Sequence, residues 1–417
     1  MTERLPWTRP HPRRRAVITG LGIISPLGVG ERRFAQALRS GTSAVGALTR
    51  FDASGLPCRL AAEVPAAGFA PSDSGQDRSV RYAILAARQA VDDAGLEPGA
   101  LDGAGAVIGA TKAGPEAFEA ACREAWEVDG VVAPSAAWLL RSLPDGAARA
   151  VVADLALGGP WTALGAACAT GAYCLIRAAE LILAGRCDVA LAGSTDAPLV
   201  PSLFTSYANL AGVVTTHNER GGTAVRPFCR TRDGMVIGEG AGVLVTEELA
   251  HARARGAEVY AELAGWAMGG EACHITGPPR EPNVPVRVIR QALASARVRA
   301  SELGYINAHG TATRRNDPYE TAAYKEALGD AAWGVPISST KAMMGHCMVA
   351  SASLDAAACL IAMRDSFVPP TINHHEADPA CDLDYVPNEA REARVDSALS
   401  LCLGFGGHVA ALVFRRV

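Results

Sequence analysis

A chain of 417 residues with 49% hydrophobic content has the material for a large core, arranged as two or three domains or as two fused halves. Charged residues make up 20% and the formal net charge is -4, which excludes a nucleic-acid binder that works through an overall basic field. Eleven cysteines, scattered without CxxC pairs, argue against a disulfide framework and a zinc knuckle and predict a reduced, cytoplasmic protein.

Residues 1–14, rich in proline and arginine, predict a flexible tail. Residues 15–19 read as a strand, followed by a glycine-rich turn. The run GLGIIS from Gly20 superficially matches a dinucleotide fingerprint, but Ser25 replaces the third glycine and Pro26 follows at once, so no nucleotide site is expected. The same region is too broken by glycine and proline for a signal-peptide core. No apolar run reaches membrane-spanning length free of charge: Arg177 and Glu180 interrupt one, Asp355 another. Residues 77–94 carry helical apolar spacing (Val80, Ile84, Leu85, Val91) and end at Gly95. A short buried strand is expected over 106–110, then a loop with Lys112, one of only three lysines. Residues 116–160 read as helices joined by loops.

The segment 162–197 organises the chain. It places Cys168 at the start of an apolar helical run and closes on a strand at 189–193. A helix N-terminus favours a thiolate, and Ala166, Ala167, Ala169 and Gly171 leave room for a second molecule beside the sulfur. Taken alone, such a cysteine reads more readily as a small buried hydrophobe. Residues 198–235 read as a long irregular stretch of the functional or partner-facing kind. Residues 234–247 place a glycine turn before a strand, with Glu239 expected to be buried and hydrogen-bonded; no phosphate loop fits, because no helix follows.

The second half repeats the order. Strands are expected over 259–263, 303–308 and 336–339, helices over 286–297, 319–328 and 350–363, and two strand arms over 399–414 around the GFGG at 404–407. This order suggests a duplicated α/β unit without a residue-level repeat. Two histidine motifs stand at strand-to-helix junctions, where α/β sheets gather ligand chemistry. NAHGTAT carries His309 and Thr311, and SSTKAMMGHCMVASAS carries Lys341 and His346. With Cys168 they form a nucleophile and two proton-bearing partners. A zinc hydrolase is the competing reading, but no pair of these residues has the close spacing of a zinc motif.

ACATGAY around Cys168, RPFCRTRDGMVIGEGAGVLV (226–245), NAHGTATRRNDPYE (307–320), STKAMMGH (339–346), DPACDLDYVPNEAR (378–391) and LGFGGH (403–408) occur in that order. From about Arg15 to the C-terminus the chain resembles the β-ketoacyl-acyl-carrier-protein synthases of the thiolase fold. The resemblance implies an α/β fold with a thiolase-like duplicated αβαβα layered architecture. Its N-terminal half, 15–255, would carry the nucleophile and its C-terminal half, 256–417, the two catalytic histidines. It implies a decarboxylative condensation of malonyl carrier protein with an acyl group held on Cys168, and an oxyanion hole made by the backbone N–H groups of Cys168 and Phe405. His309 and His346 would donate to the malonyl thioester. Lys341 would support the histidine loop, paired with Asp355, which is one methylene shorter than the family's glutamate, so that the loop closes in or a water bridges.

Asp317, Glu320 and Thr311 are implied as supports, and Lys112 and Phe405 as a gate to the acyl pocket. No permanently bound cofactor and no metal are implied; substrates arrive on the phosphopantetheine arm of an acyl carrier protein. The implied partners are that carrier and either a second copy or a related ketosynthase-like subunit, with no nucleic acid and no membrane. Arg78 and Arg81 are candidate docking arginines. His408 and Val409 stand where many fatty-acid members have Thr-Asn, and Lys112 stands where an apolar residue is common. These departures favour a type II polyketide enzyme over housekeeping fatty-acid elongation. The presence of Cys168, His309 and His346 disfavours a non-catalytic chain-length subunit.

Overall fold

The chain enters the fold on a ten-residue strand, β1 (Ala16–Ser25), buried along its whole length. The computed structural model describes residues 14–66, 76–110, 114–127 and 143–417; residues 1–13 of the expected tail, and Lys112, lie outside the described residues. The glycine-rich turn expected after residue 19 is absent, because Gly20 and Gly22 are part of β1. A Cβ at Gly20 would stand 2.2 Å from the Ala90 carbonyl oxygen, and one at Gly22 only 1.7 Å from that of Ala86. Both carbonyls belong to helix α1 (Arg78–Asp93), which Asp77 caps by accepting the Ser79 N–H at 2.9 Å. The glycines therefore let a helix lie directly on a strand.

A two-residue strand at Gly28–Val29 folds back on the end of β1, and four more strands continue the first half of the main sheet: β2 (Gly105–Gly109), β3 (Trp161–Thr162), β4 (Val189–Asp196) and β5 (Gly240–Glu248). Helix α2 (Gly146–Asp154) lies between β2 and β3, and α3 (Thr170–Leu183) between β3 and β4. The second half supplies β6 (Ala261–Gly270), α4 (Asn283–Ala296), β7 (Tyr305–Asn307), α5 (Asn316–Leu328), β8 (Ile337–Ser338), α6 (Ser351–Asp365), β9 (Ser397–Gly404) and β10 (His408–Arg415). Across the sheet the order is β8-β7-β9-β10-β6-β1-β5-β4-β2-β3. Each half is thus one five-stranded pattern, and the two are arranged head to head. In both, the outer three strands run parallel and the inner ones antiparallel.

The halves meet where β1 pairs β6 over only two positions, Val17 with Glu262 and Ile18 with Ala261. Arg15 and Arg415 both hold Glu262 there, each at 2.7 Å. Side chains alternate across each half-sheet as pleating requires. In β5, Val243 and Val245 join the outer core under α1 and α2, while Leu244 joins the central core. In β10, Val409, Ala411 and Val413 face α4 and α5, and Ala410, Leu412 and Phe414 face the centre. The central layer is α3 with α6, and α6 is buried from Ser351 to Met363. A helix rich in alanine on every face can be covered on every face.

The stretch 198–235 is less irregular than expected, for it contains a helix at Pro201–Ala208 and a 3-10 turn at Asn218–Thr223. Glu239 is fully buried as expected, held by Arg50 at 2.7 Å and by the Tyr82 hydroxyl at 3.2 Å. Among the described residues no helix is long and apolar enough to cross a membrane.

Candidate active site

Cys168 sits on a tight turn immediately before α3. Ala167 adopts φ 46°, a left-handed conformation that costs a non-glycine residue energy and needs outside support. Thr170 supplies it: its hydroxyl accepts the Ala166 N–H at 2.8 Å and donates to the Ala167 carbonyl at 2.7 Å. The turn pushes the sulfur into a cleft of about 170 Å³, where Cys168 is 4% exposed. The backbone N–H groups of Phe405 and of Cys168 itself lie near enough to the sulfur to favour its ionised form. Phe405 is half-buried in the turn between β9 and β10 and lines the same cleft.

The helix-end argument for a standing thiolate does not hold. Burial pushes the Cys168 thiol up to about 12, despite opposition from the Lys341 charge and the two backbone N–H groups. At rest Cys168 is a thiol.

His309 and His346, from the far half of the chain, line the same cleft as Cys168. Their rings meet edge to face, with centroids 5.4 Å apart. His309 follows β7, and its position is fixed through the backbone: Glu320 of α5 accepts the N–H groups of His309 at 2.6 Å and Gly310 at 2.8 Å. His346 is pinned as an added bridge on Ile237, donating its backbone N–H to Val236 at 2.7 Å and accepting that of Gly238 at 2.8 Å. Its Nδ1 lies 2.7 Å from the Ser351 hydroxyl at the first residue of α6. Burial first, and then the Lys341 charge, hold both imidazoles well below the ordinary histidine range; His346 adds to the effect at His309. Both rings are neutral at physiological pH.

Lys341 is fully buried, and its Nζ donates to Asp355 Oδ2 at 2.9 Å with no water between; Thr340 donates to Oδ1 at 2.8 Å. The shorter acid is met by direct approach of the loop. Burial alone would lower the ammonium, but Asp355 outweighs it and the net direction is upward, so Lys341 stays charged. Asp317 is buried under the site, accepting the Phe228 N–H at 2.7 Å, and burial raises its carboxyl to about 7. Thr311 lines the cleft, its hydroxyl 3.1 Å from that of Thr313.

Two sequence expectations fare differently. Lys112 as a gate lies outside the described residues. Arg78 is not a free docking residue: it pairs with Glu116 at 2.5 Å and with buried Glu239 at 3.1 Å, and donates to the Leu199 carbonyl at 3.0 Å. Sequence reasoning missed Thr170, Ser351 and Glu271. Glu271 lines the cleft, accepts the Tyr319 hydroxyl, and is tied through its N–H to the Gly407 carbonyl at 2.8 Å. No spacing rule marks these residues, because each acts through a neighbour brought up by the fold. Among the described residues no group of three or more histidine, cysteine or acidic side chains is placed to hold a metal ion.

Comparison with known proteins extends this picture. Residues 13–252 match the model of the β-ketoacyl synthase N-terminal domain, and residues 260–375 that of the β-ketoacyl synthase C-terminal domain. The chain is 40% identical to the tetracenomycin polyketide synthase ketoacyl synthase alpha subunit of Streptomyces glaucescens, covering 97% of this chain and 98% of that one. It is 37% identical to 3-oxoacyl-[acyl-carrier-protein] synthase 2 of Synechocystis, covering 97% and 98%. Among solved structures, it matches a ketosynthase with its type II polyketide acyl-carrier protein, AntDE:AntF, at TM-score 0.90 and 33% identity, covering 97% of this chain and 100% of that one. The ishigamide ketosynthase/chain length factor matches at TM-score 0.90 and 35% identity, with the same coverage.

Proposed function

The chain belongs to the β-ketoacyl synthase family, and from that membership we propose that it joins a malonyl unit, delivered on an acyl carrier protein, to an acyl group held on Cys168 in a type II polyketide pathway. The observation that carries this reading is the convergence of Cys168, His309 and His346 on one cleft, with two backbone N–H groups near the sulfur.

The chemistry follows from the geometry. The substrate arrives as a thioester on the phosphopantetheine arm of the carrier. Cys168 attacks its carbonyl; a new C–S bond forms, the bond to the arm breaks, and the thiol proton leaves on the released pantetheine thiol. The oxyanion of that step faces the N–H groups of Cys168 and Phe405, each such donor contributing about 3 kcal/mol to the lowering of the barrier. A malonyl thioester then takes the vacated channel. Its bond to the carboxylate breaks, CO2 leaves, and the electron pair forms an enolate whose oxygen accepts N–H bonds from His309 and His346. A neutral imidazole has only one N–H. His346 can therefore donate from Nε2 only if Nδ1 accepts from Ser351, which assigns the Ser351 hydroxyl as donor. The enolate carbon attacks the acyl carbonyl on Cys168, the C–S bond breaks, the departing sulfur takes a proton from solvent to become a thiol again, and the product leaves two carbons longer. Lys341, held by Asp355, keeps a positive charge nearby that opposes protonation of either ring.

In this reading the half 15–255 supplies the nucleophile and the half 256–417 the histidines. The polyketide assignment draws support from the polyketide ketosynthase relatives. The two-residue edge strand β3, with Trp161 42% exposed, is a fitting surface for a second copy or a related subunit. A cytoplasmic location accords with eleven cysteines, all free. Mixing the protein with acyl-loaded carrier and weighing it intact tests the reading: the mass of one acyl group is expected on Cys168, and none on Cys168→Ala. An acyl adduct that persists in Cys168→Ala would sink the assignment.

A further inference from the structure

If the condensing reading above holds, the cleft must admit two anions, the phosphate of the pantetheine arm and the malonyl carboxylate. Its inner wall offers no free positive charge to meet them. His309 and His346 are neutral, and Lys341 is locked against Asp355. Glu271 adds a carboxyl group to the same wall. Among the described residues lining the cleft, Arg315 is the one permanent cation, and it stands at the outer end beside the exposed His274 and Ile275. It is exposed and has no ion pair among the described residues.

The local geometry presents it to the channel. Arg315 Nη1 lies 3.1 Å, and His274 Nδ1 3.4 Å, from where a Cβ on Gly277 would sit, so the bare glycine lets both groups close over the lip. His274 Nδ1 accepts the backbone N–H groups of Thr276 at 3.1 Å and Gly277 at 3.0 Å. Its proton is therefore on Nε2, a second donor beside the guanidinium. A planar guanidinium matches a phosphate with two parallel hydrogen bonds. The neighbouring Arg314 carries the same charge but does not line the cleft.

We propose that Arg315, assisted by His274, binds the phosphate of the pantetheine arm at the mouth of the cleft and so sets how far the thioester reaches toward Cys168. The arm itself, without the carrier protein, provides the test. The kcat/KM for acylation of Cys168 is measured with one short acyl chain on phosphopantetheine and on pantetheine. In the wild-type protein the phosphate is expected to raise it about tenfold, the size of one charge-assisted hydrogen bond. That advantage should shrink as salt is added. The ratio should fall to near one in Arg315→Ala, stay partial in Arg315→Lys, and keep its wild-type value in Arg314→Ala. A wild-type ratio near one, an unchanged ratio in Arg315→Ala, or an equal collapse in Arg314→Ala would overturn the assignment while leaving the condensing reading intact. If neither thioester acylates Cys168, the condensing reading itself fails, and the role of Arg315 with it.

Discussion

At the scale of single residues, the site is governed by burial more than by its helix end. The N-terminus of α3 and Lys341 both favour an ionised sulfur, yet desolvation outweighs them and leaves Cys168 a thiol pushed up to about 12. The sign has a direct consequence for reactivity. Only the thiolate alkylates, so a raised value means that the reactive fraction grows with every step in pH until the thiol titrates. Iodoacetamide labelling of the Cys168 peptide, read by mass spectrometry, is expected to rise about tenfold per pH unit from 7 to 10. A plateau below pH 8 would mean that the helix end and Lys341 prevail after all. At His309 and His346 burial and the Lys341 charge act in the same direction and keep both rings uncharged, which suits them to donate one N–H each. Cys168, His309, His346 and Lys341 were all legible as residues, because each sits in a motif at a strand-to-helix junction. Their protonation was not, since it depends on the depth at which the fold places them. Nor was the part played by Thr170 or Ser351, which only the folded turn defines.

At the scale of elements, the strands and helices around the site motifs were legible, while the helices Glu31–Ser40, Pro201–Ala208 and Leu249–Ala254 were not, and glycine misled where it carries two meanings. Gly20 and Gly22 read as a turn by composition. They are interior strand residues because α1 crosses β1 with no room for a side chain. The second half repeats the device: a Cβ at Gly265 of β6 would stand 2.3 Å from the Ala296 backbone nitrogen at the end of α4. Neither close contact is local in sequence, so no window of residues could reveal it. Gly22→Ala would drive a methyl group to 1.7 Å from the Ala86 carbonyl oxygen, between two backbones that cannot both yield. It is expected to cost at least about 3 kcal/mol in urea unfolding or to leave the protein insoluble. Gly46→Ala, with open space around its Cβ, should stay within about 0.5 kcal/mol of wild type. Equal stability of the two variants would contradict the packing described for β1 and α1.

At the scale of the whole molecule, the repeat explains why the chemistry converges. In each half a parallel strand leads through a loop into a central helix, α3 in one and α6 in the other, and these helices pack together in the middle layer. Ser194 of β4 ties the first half to α6, hydrogen-bonded to Ser353 at 2.8 Å and to the Val349 carbonyl at 2.7 Å. The loop before α3 carries the sulfur, and the loop before α6 carries His346 and Lys341. The order of elements made this duplication visible in the sequence, while the head-to-head join through β1 and β6 came only with the structure. Convergence has chemical meaning only if the two halves act on one substrate. That is tested by malonyl carrier protein decarboxylation in Cys168→Gln, whose amide stands in for the acylated cysteine, measured with and without His309→Ala. Cys168→Gln should release CO2 without condensing, and adding His309→Ala should slow that release by roughly a hundredfold, the loss of one oxyanion donor. An unchanged rate of decarboxylation would mean that the imidazole of the second half takes no part in the chemistry centred on the first.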